Sequence, residues 1–188
     1  MNRLPFILSG LAAAALAAPA AASGASYSAD AAQSRLEFVG TQAGVPLRAS
    51  FHSFTAAIDF SPDTLDSAHF DVTIDTGSVD SKDADRDATI KGAEVFDIAH
   101  WPSAHYLTKT ITKSAAGYHA LGTLTLRGVT KDVPIDFTFT TTPAGAKLEG
   151  SATVKRLDFG VGQGEWKSTE WIGDEVKIAF SLVLVPRH

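Results

Sequence analysis

The chain has 188 residues, no cysteine and a formal net charge of -5. The lack of cysteine excludes a disulfide framework, a lipidated thiol and a thiolate nucleophile. The mild acidity argues against nucleic acid and anionic lipid surfaces as partners, because both attract clustered positive charge. The length is sufficient for one domain with its own core.

The N-terminus, residues 1–22, has the layout of a secretory signal peptide. A single cation, Arg3, precedes an apolar run over residues 4–18, and small residues follow. The pattern predicts export with cleavage after Ala22, with Ala25 as the alternative. An uncleaved membrane anchor is the competing interpretation, but the run is short, is broken by a proline and lacks a basic stop signal. Because no second apolar run approaches membrane-spanning length, we expect the mature chain to be soluble.

Period-two alternation dominates the rest of the chain. It predicts strands with one dry face and one wet face. The alternating segments are LEFVG (36–40), LRASFHSFTAAIDF (47–60), HFDVTID (69–75), ALGTLTL (120–126), VPIDFTFT (133–140), LEGSATV (148–154) and VKIAFSLVL (176–184). In the second segment the alternation changes phase at His52 and Ser53, which predicts a bulge there.

A single segment, SKDADRDATIKGAEVF (81–96), has helical character. Ser81 is the predicted N-cap, aspartates follow in the first turns, and the helix is expected to end near Gly92. The acidic residues match a calcium loop only in part, because Ala88 stands where that loop requires glycine. We therefore interpret them as anions at a helix start. The patterns together predict an all-β domain: an antiparallel, eight-stranded, lipocalin-like barrel with one short helix in a long connection.

The predicted inward faces mix aromatic residues with small ones. The small ones are Gly40, Ala49, Gly122, Gly150 and Ala152. An eight-stranded barrel is wide enough either to be filled by side chains or to hold one small ligand. A solid core requires the space beside small residues to be filled, whereas a ligand cavity leaves it open. The composition favours a cavity and leaves a solid core as the alternative.

Three glycines alternate in RLDFGVGQGEWKSTEW (156–171). A dinucleotide-binding loop has its glycines between a strand and a helix, but here another alternating strand follows. We therefore reject phosphate binding and interpret the segment as a connection that closes one end of the barrel. Trp166 and Trp171 are then expected at the barrel mouth, where an indole can be partly buried and partly wet.

The sequence contains no recognisable catalytic motif. A nucleophile elbow, an HExxH pair and an evident carboxylate pair are all missing. The histidines before the tail are scattered, at His52, His69, His100, His105 and His119. A zinc site would require long-range assembly that spacing alone does not reveal.

Three segments resemble the YceI-like family, and the resemblance extends over residues 27–186. They are GTLTLRGVTKDVPIDFTF (122–139), IDTGSVDSKDADRDATIKGAEVFDIAHWPSAHY (74–106) and RLDFGVGQGEW (156–166). The Arg86–Asp87 pair in the long connection also fits the family pattern. The FGVGQGEW segment is similar to a subgroup found with membrane di-haem b-type cytochromes.

The resemblance implies a periplasmic lipocalin-like barrel that binds an isoprenoid lipid, either a polyprenyl compound or the tail of a quinone such as ubiquinone. It implies a transport or carrier role, no enzymatic activity and no metal. It also implies a b-type cytochrome as a candidate membrane partner and allows a dimer. Many members carry a histidine-containing segment where this chain has GTQAGVPLR (40–48). The head-group preference of this protein therefore does not follow from the family.

The candidate ligand-binding residues combine dry strand faces with aromatic residues of the connections. They are Phe38, Phe51, Phe54, Phe70, Val72, Ile74, Phe96, Trp101, Tyr106, Leu124, Leu126, Phe137, Phe139, Phe159, Trp166, Phe180 and Leu182. Two alternatives to a lipid carrier stay open. One is a metal-dependent or stress-related enzyme, and the other is an accessory protein with a solid core.

Export gives the first testable prediction. N-terminal sequencing of the protein from a periplasmic fraction should find a chain that starts after Ala22, because small residues there match the cleavage pattern. A chain that lacks residues 1–22 serves as the control and should stay in the cytoplasm. A periplasmic or membrane-bound form that retains Met1 would contradict the prediction.

Overall fold

The computed structural model of the protein describes residues 25–187. In this range the chain consists mainly of β-strands, with one α-helix. The elements are β1 (Ala25–Ala29), β2 (Arg35–Gln42), β3 (Val45–Phe51), β4 (Phe54–Phe60), β5 (His69–Asp75), β6 (Val79–Asp80), α1 (Ala84–Lys91), β7 (Ser103–Ser114), β8 (Gly117–Leu126), β9 (Val129–Thr142), β10 (Gly145–Lys155) and β11 (Glu175–Pro186). The predicted signal peptide lies outside the described residues. No helix within residues 25–187 is both long and apolar enough to cross a membrane.

The strands form a closed antiparallel barrel. Three strands of the barrel are bent, and each consists of two segments: β1 with β2, β3 with β4, and β5 with β6. Counted in this way, the barrel has eight strands in chain order. β1 pairs with β4 and β2 with β3, while β11 closes the ring by pairing with both β2 and β1. The predicted eight-stranded barrel with one helix is confirmed.

The phase change at His52 and Ser53 lies where β3 ends and β4 begins. The backbone N–H groups of both residues donate to Ser78, to its carbonyl oxygen at 3.3 Å and to its hydroxyl oxygen at 3.1 Å. This break lets Phe51 and Phe54 both point into the barrel, although they are three positions apart. A strand without the break would turn one of the two rings outward.

One end of the barrel, which we call the closed end, is filled with aromatic rings. Phe60 is 1% exposed and lies at the centre of the cluster. Its ring centroid is 4.7 Å from that of Phe139, 4.9 Å from that of Tyr118 and 5.5 Å from that of Phe137. Edge-on and tilted pairs of this kind add about 0.5–1.5 kcal/mol each beyond the burial of area. This end therefore has a solid core.

The inward glycines divide into two groups. A Cβ atom at Gly122 would lie 2.5 Å from Cζ of Tyr106, and one at Gly150 would lie 2.5 Å from Cζ of Phe180. Both spaces are thus filled by rings from neighbouring strands. At Gly40, no atom lies within 4 Å of an added Cβ. The hypothesis that these glycines border open space is correct at Gly40 and wrong at Gly122 and Gly150.

The long connection between β6 and β7 covers the other end, which we call the open end. α1 begins after Asp83, whose carboxylate accepts a hydrogen bond from the Arg86 backbone N–H at 3.0 Å, and it ends at Gly92 as expected. The prediction of Ser81 as N-cap is wrong. Ser81 is buried, and its backbone N–H and hydroxyl donate to the Asp87 carboxylate at 2.7 and 2.6 Å. The hydrogen bond from this hydroxyl lowers the pKa of Asp87.

The connection between β10 and β11 is organised around Arg156, which is 6% exposed. Its guanidinium donates to the carbonyl oxygens of Ile172 at 2.8 Å, Gly173 at 3.0 Å, Val161 at 3.0 Å and Ser168 at 3.3 Å. Burial lowers the pKa of the Arg156 guanidinium. A buried cation loses its hydrating water, and the four carbonyl groups take the place of that water.

Glycines allow this connection to fit closely against its neighbours. Gly162 has a φ of +91°, and a Cβ there would collide with the Arg156 guanidinium. Gly164 has a φ of +56°, and a Cβ there would collide with the Glu94 carboxylate. The backbone N–H groups of Gly162 and Gln163 donate to the Glu94 carbonyl at 2.9 and 2.7 Å, which ties the two connections together. The glycine-rich segment thus closes a barrel end and leads into β11.

The closed end predicts a large stability loss for Phe137→Ala. Phe137 is 3% exposed and its ring contacts those of Phe60, Phe70 and Tyr118. We expect its removal to lower the free energy of unfolding by about 3–5 kcal/mol, because the cavity left behind is enclosed by fixed rings. Chemical denaturation measures this quantity. Trp171→Ala is the control, because that ring is 62% exposed. A loss below about 1 kcal/mol would contradict a solid core.

Arg156→Met removes the donor that four carbonyl groups of the β10–β11 connection share. We expect the free energy of unfolding to fall by about 1–3 kcal/mol, because buried acceptors then lack partners. Hydrogen exchange of amides in residues 157–174 should accelerate more than that of the strands. The control is Arg187→Met, which removes an exposed ion pair with Asp59. Unchanged exchange in the connection would show that Arg156 does not hold it.

Candidate ligand cavity

A cavity of about 460 Å³ lies inside the open end of the barrel. This volume falls within the range of about 300–1,000 Å³ that is typical of small-molecule sites. The apolar side chains of its wall are Leu36, Phe38, Leu47, Phe51, Ile74, Ile90, Val95, Phe96, Ala104, Leu124, Leu126, Val154, Val161, Trp166, Ile172, Val176 and Ile178. The wall is therefore suited to the exclusion of water and the burial of an apolar group.

Three phenylalanine rings line one side of the cavity. Their centroids are 5.5 Å apart for Phe38 and Phe51, 5.9 Å for Phe51 and Phe96, and 6.3 Å for Phe38 and Phe96. The first two come from the barrel wall, whereas Phe96 comes from the long connection and is 7% exposed. The backbone N–H of Phe96 donates to the carbonyl of Ile90 at 3.0 Å. The Phe96 ring therefore fastens the connection to the barrel through its contacts with Phe38 and Phe51, and it also forms part of the cavity wall.

Seven of the candidate ligand-binding residues border this cavity. They are Phe38, Phe51, Ile74, Phe96, Leu124, Leu126 and Trp166. That these residues bind a ligand stays a prediction, since the structure gives only their place in the wall. Phe38, Phe51 and Trp166 are half-buried, so that part of each ring is available to a ligand.

The other ten candidates do not border the cavity. They are Phe54, Phe70, Val72, Trp101, Tyr106, Phe137, Phe139, Phe159, Phe180 and Leu182. Most share the inward direction of the wall residues but pack against other side chains, as Phe70 and Phe137 do in the aromatic cluster. Tyr106 fills the space beside Gly122 and donates to the Val133 carbonyl at 3.2 Å, and burial raises the pKa of its phenol. Trp101 is 43% exposed.

Several wall residues were missing from the predicted set. Leu36, Leu47, Val176 and Ile178 belong to the dry faces of alternating segments, so that alternation gave a signal for them. Alternation did not show which residues of a strand lie at the open end of the barrel and which lie at the closed end. Arg156 and Thr76 also border the cavity, and no local pattern predicts a buried arginine or threonine in a connection.

Polar side chains border the cavity mainly at its mouth. Gln42 lies at the end of β2, and Asp83, Asp85 and Arg86 lie at the start of α1. Thr76 is 1% exposed, and its hydroxyl donates to the Trp101 carbonyl at 3.1 Å. A ligand with an apolar body and a polar head could therefore satisfy its head at the mouth and bury its body in the barrel.

Within residues 25–187, no three His, Asp or Glu side chains are grouped closely enough to hold a metal ion. The aspartates of α1 serve its start, and the absence of calcium stays a prediction. Four of the scattered histidines each contact one aspartate, as in His105–Asp71 at 2.8 Å and His119–Asp136 at 2.8 Å.

Comparison with known proteins agrees with the fold. A UPF0312 protein from Yersinia enterocolitica is 31% identical over 121 residues, which cover 61% of this chain and 63% of that protein. The match thus spans less than two thirds of that relative's length. The crystal structure of BcnA from Burkholderia cenocepacia is 33% identical, with a TM-score of 0.78, and covers 82% of this chain and 98% of that one.

A second solved structure is similar in fold. It is a polyisoprenoid binding domain from Saccharophagus degradans, implicated in plant cell wall breakdown, at 17% identity and a TM-score of 0.66, covering 86% of this chain and 98% of that one. At this identity the likeness concerns the fold alone. The model of the YceI-like domain matches residues 27–184. This range contains nearly the whole barrel, and the protein therefore belongs to the family of YceI-like domains.

Proposed function

We propose that the protein is a periplasmic carrier that holds the chain of an isoprenoid lipid, either a polyprenyl compound or a quinone tail, in the barrel cavity. The observation that carries the proposal is the apolar cavity of about 460 Å³ in the open end. A protein that served only as a packed scaffold would gain stability from filling such a space. The empty volume is consistent with selection for a ligand.

The wall chemistry supports a prenyl chain. Burial of apolar surface contributes about 25 cal/mol per Å², from which the costs of ordering the ligand must be subtracted. The branched methyl groups and flat double bonds of isoprene units can pack against aliphatic side chains such as Leu124 and Ile178 and against the rings of Phe38, Phe51 and Phe96. The polar residues at the mouth would face the head group, whichever head group the lipid carries.

The comparisons support the same ligand class. A fold neighbour, the domain from Saccharophagus degradans, is described as polyisoprenoid binding. The predicted signal peptide supports a periplasmic location. The FGVGQGEW segment (159–166) supports a membrane b-type cytochrome as a partner, and a quinone ligand would fit such a partner chemically.

The alternatives are less well supported. A metal-dependent enzyme would require a group of ligating side chains, and residues 25–187 contain none of three or more. A solid accessory protein would require the open end to be filled as the closed end is, yet the space beside Gly40 is empty. These observations favour a binding protein.

Mass spectrometry of organic extracts tests the function directly. Protein purified from a periplasmic fraction should release a prenyl lipid in near-stoichiometric amount. A stoichiometric metal without lipid would favour the enzyme instead. The absence of both lipid and metal would favour the accessory protein.

Gly40→Phe gives a sharper prediction about the position of the ligand. No atom lies within 4 Å of a Cβ added at Gly40, so that the new ring can enter the cavity. We expect a free energy of unfolding within about 1 kcal/mol of the parent value, because a strand glycine is replaced by a residue with better strand propensity. The lipid retained after purification should fall at least about tenfold, which corresponds to about 1.4 kcal/mol of binding free energy.

Two variants control this experiment. Ser151→Phe places the same ring on the exposed outer face of β10 and should retain its lipid. Gly122→Leu should fail to fold stably, because its Cβ would meet Tyr106 and the Leu107 carbonyl at 2.5 and 2.6 Å. A folded Gly40→Phe protein with its full lipid complement would contradict the proposed site.

A further inference from the structure

Exposed apolar side chains concentrate at the open end of the barrel. Val45 is 64% exposed, Trp171 is 62% exposed and Trp101 is 43% exposed. Val185, at 38%, lies at the closed end. Val45 and Trp171 border one shallow depression together with Ala43 and Pro46, which are also exposed. We call these four residues, Ala43, Val45, Pro46 and Trp171, the mouth patch. Single exposed apolar residues are common, whereas a contiguous group requires an explanation.

The mouth patch is held in place by backbone hydrogen bonds. The N–H of Ala43 donates to the Trp171 carbonyl at 2.7 Å, and Gly173 donates to the Thr41 carbonyl at 2.8 Å. An isolated bridge joins Gln42 to Ile172. The Trp171 backbone is thus fixed beside the tip of the β2–β3 hairpin, and its indole nevertheless stays in solvent. The fold thus fixes the Trp171 backbone and leaves most of the indole exposed to solvent.

Three cations surround the same depression. Arg48, Lys82 and Arg86 border it, and the residues that border it include no carboxylate. Lys82 forms an ion pair with Asp80, and Arg86 forms a longer one with Asp83 at 3.4 Å. Arg48 makes no ion pair with any residue between Ala25 and Arg187. Arg48 therefore supplies the positive charge that no carboxylate of the described residues pairs, and it lies at the same depression as the exposed indole.

The depression adjoins the ligand cavity. Gln42, Leu47 and Arg86 border both of them. An indole beside cationic side chains suits the interface of a phospholipid bilayer, where tryptophan lies at the level of the head groups and cations contact phosphates. We infer that the mouth patch docks the barrel on a phospholipid bilayer, so that the cavity mouth faces the membrane. This orientation would let an isoprenoid chain pass between the bilayer and the cavity. That consequence rests on the proposed function.

A phospholipid bilayer suits the combination of an exposed indole and neighbouring cations. The overall charge of -5 opposes adsorption on an anionic surface, but Arg48 provides a local exception at the depression. A bilayer accepts this combination because the ring inserts into its interface while phosphates approach the cations. It also places an apolar ligand beside the cavity without exposing the chain to water.

Vesicle flotation tests the docking surface. The assay uses protein purified from a periplasmic fraction, with vesicles of phosphatidylethanolamine and phosphatidylglycerol. Trp171→Ala should reduce vesicle binding at least about tenfold, since the ring would bury its apolar surface at the interface. Val45→Ser should also weaken binding, whereas the matched change Val185→Ser at the closed end should leave it unchanged.

The outcomes separate docking from the proposed function. No flotation of the parent protein, or equal flotation of the Trp171→Ala and Val185→Ser variants, would overturn the docking surface. A dimer in sedimentation that Trp171→Ala dissociates, without vesicle binding, would assign the patch to a second copy and would also overturn it. Lipid content by mass spectrometry is read separately. A lipid-loaded protein that does not float would leave the carrier function standing, and a lipid-free protein that floats would support docking alone.

Discussion

The architecture depends on the closure of the sheet by β11. Its first half pairs with β2 and its second half with β1, and the bend between those strands is bound at Val183. The carbonyl of Val183 accepts from the Asp30 N–H at 2.8 Å, and its N–H donates to the Ser34 hydroxyl oxygen at 3.0 Å. Because this junction leaves no open edge between β11 and the bent first strand, the dry faces of the strands enclose a single interior. Both the core and the cavity exist only because that interior is closed.

The interior is divided along its axis by the size of its side chains. At the closed end, rings from four strands meet around Phe60, and the glycines beside them are filled by further rings. At the open end, Phe38, Phe51 and Phe96 stand along one side and leave volume between them and the aliphatic wall. The packed half supplies stability, so that the other half can stay empty without loss of the fold. The volume of the interior therefore lies at the open end.

Alternation predicted most strands because each has one dry face, but it failed where local geometry changes the period. β7 was missed because a bulge between Thr108 and Thr110 shifts its register, with the Thr108 hydroxyl oxygen accepting from the Phe70 N–H at 2.8 Å. β1 was missed because its sequence, ASYSA, has one large apolar residue, Tyr27, so that its alternation is weak. Alternation tells which face of a strand a residue lies on, but not how far along the barrel axis it lies. Phe137 and Phe38 were therefore both predicted to bind the ligand, although only Phe38 borders the cavity. The hydrogen bonds of Arg156 join residues up to 17 positions apart and have no local signature.

The elements around the mouth differ in how strongly they are fixed. The β10–β11 connection is held by the buried Arg156 and by two hydrogen bonds to Glu94. The long connection is fixed at Phe96, which is buried in the aromatic wall. α1 lies between the mouth and that anchor and contains no buried residue. It is tied to its surroundings by hydrogen bonds: Asp87 accepts from the buried Ser81, and the Ile90 carbonyl accepts from the Phe96 N–H. The mouth is thus bordered by one element that hydrogen bonds hold, and by two anchors that the burial of a cation and of an aromatic ring hold.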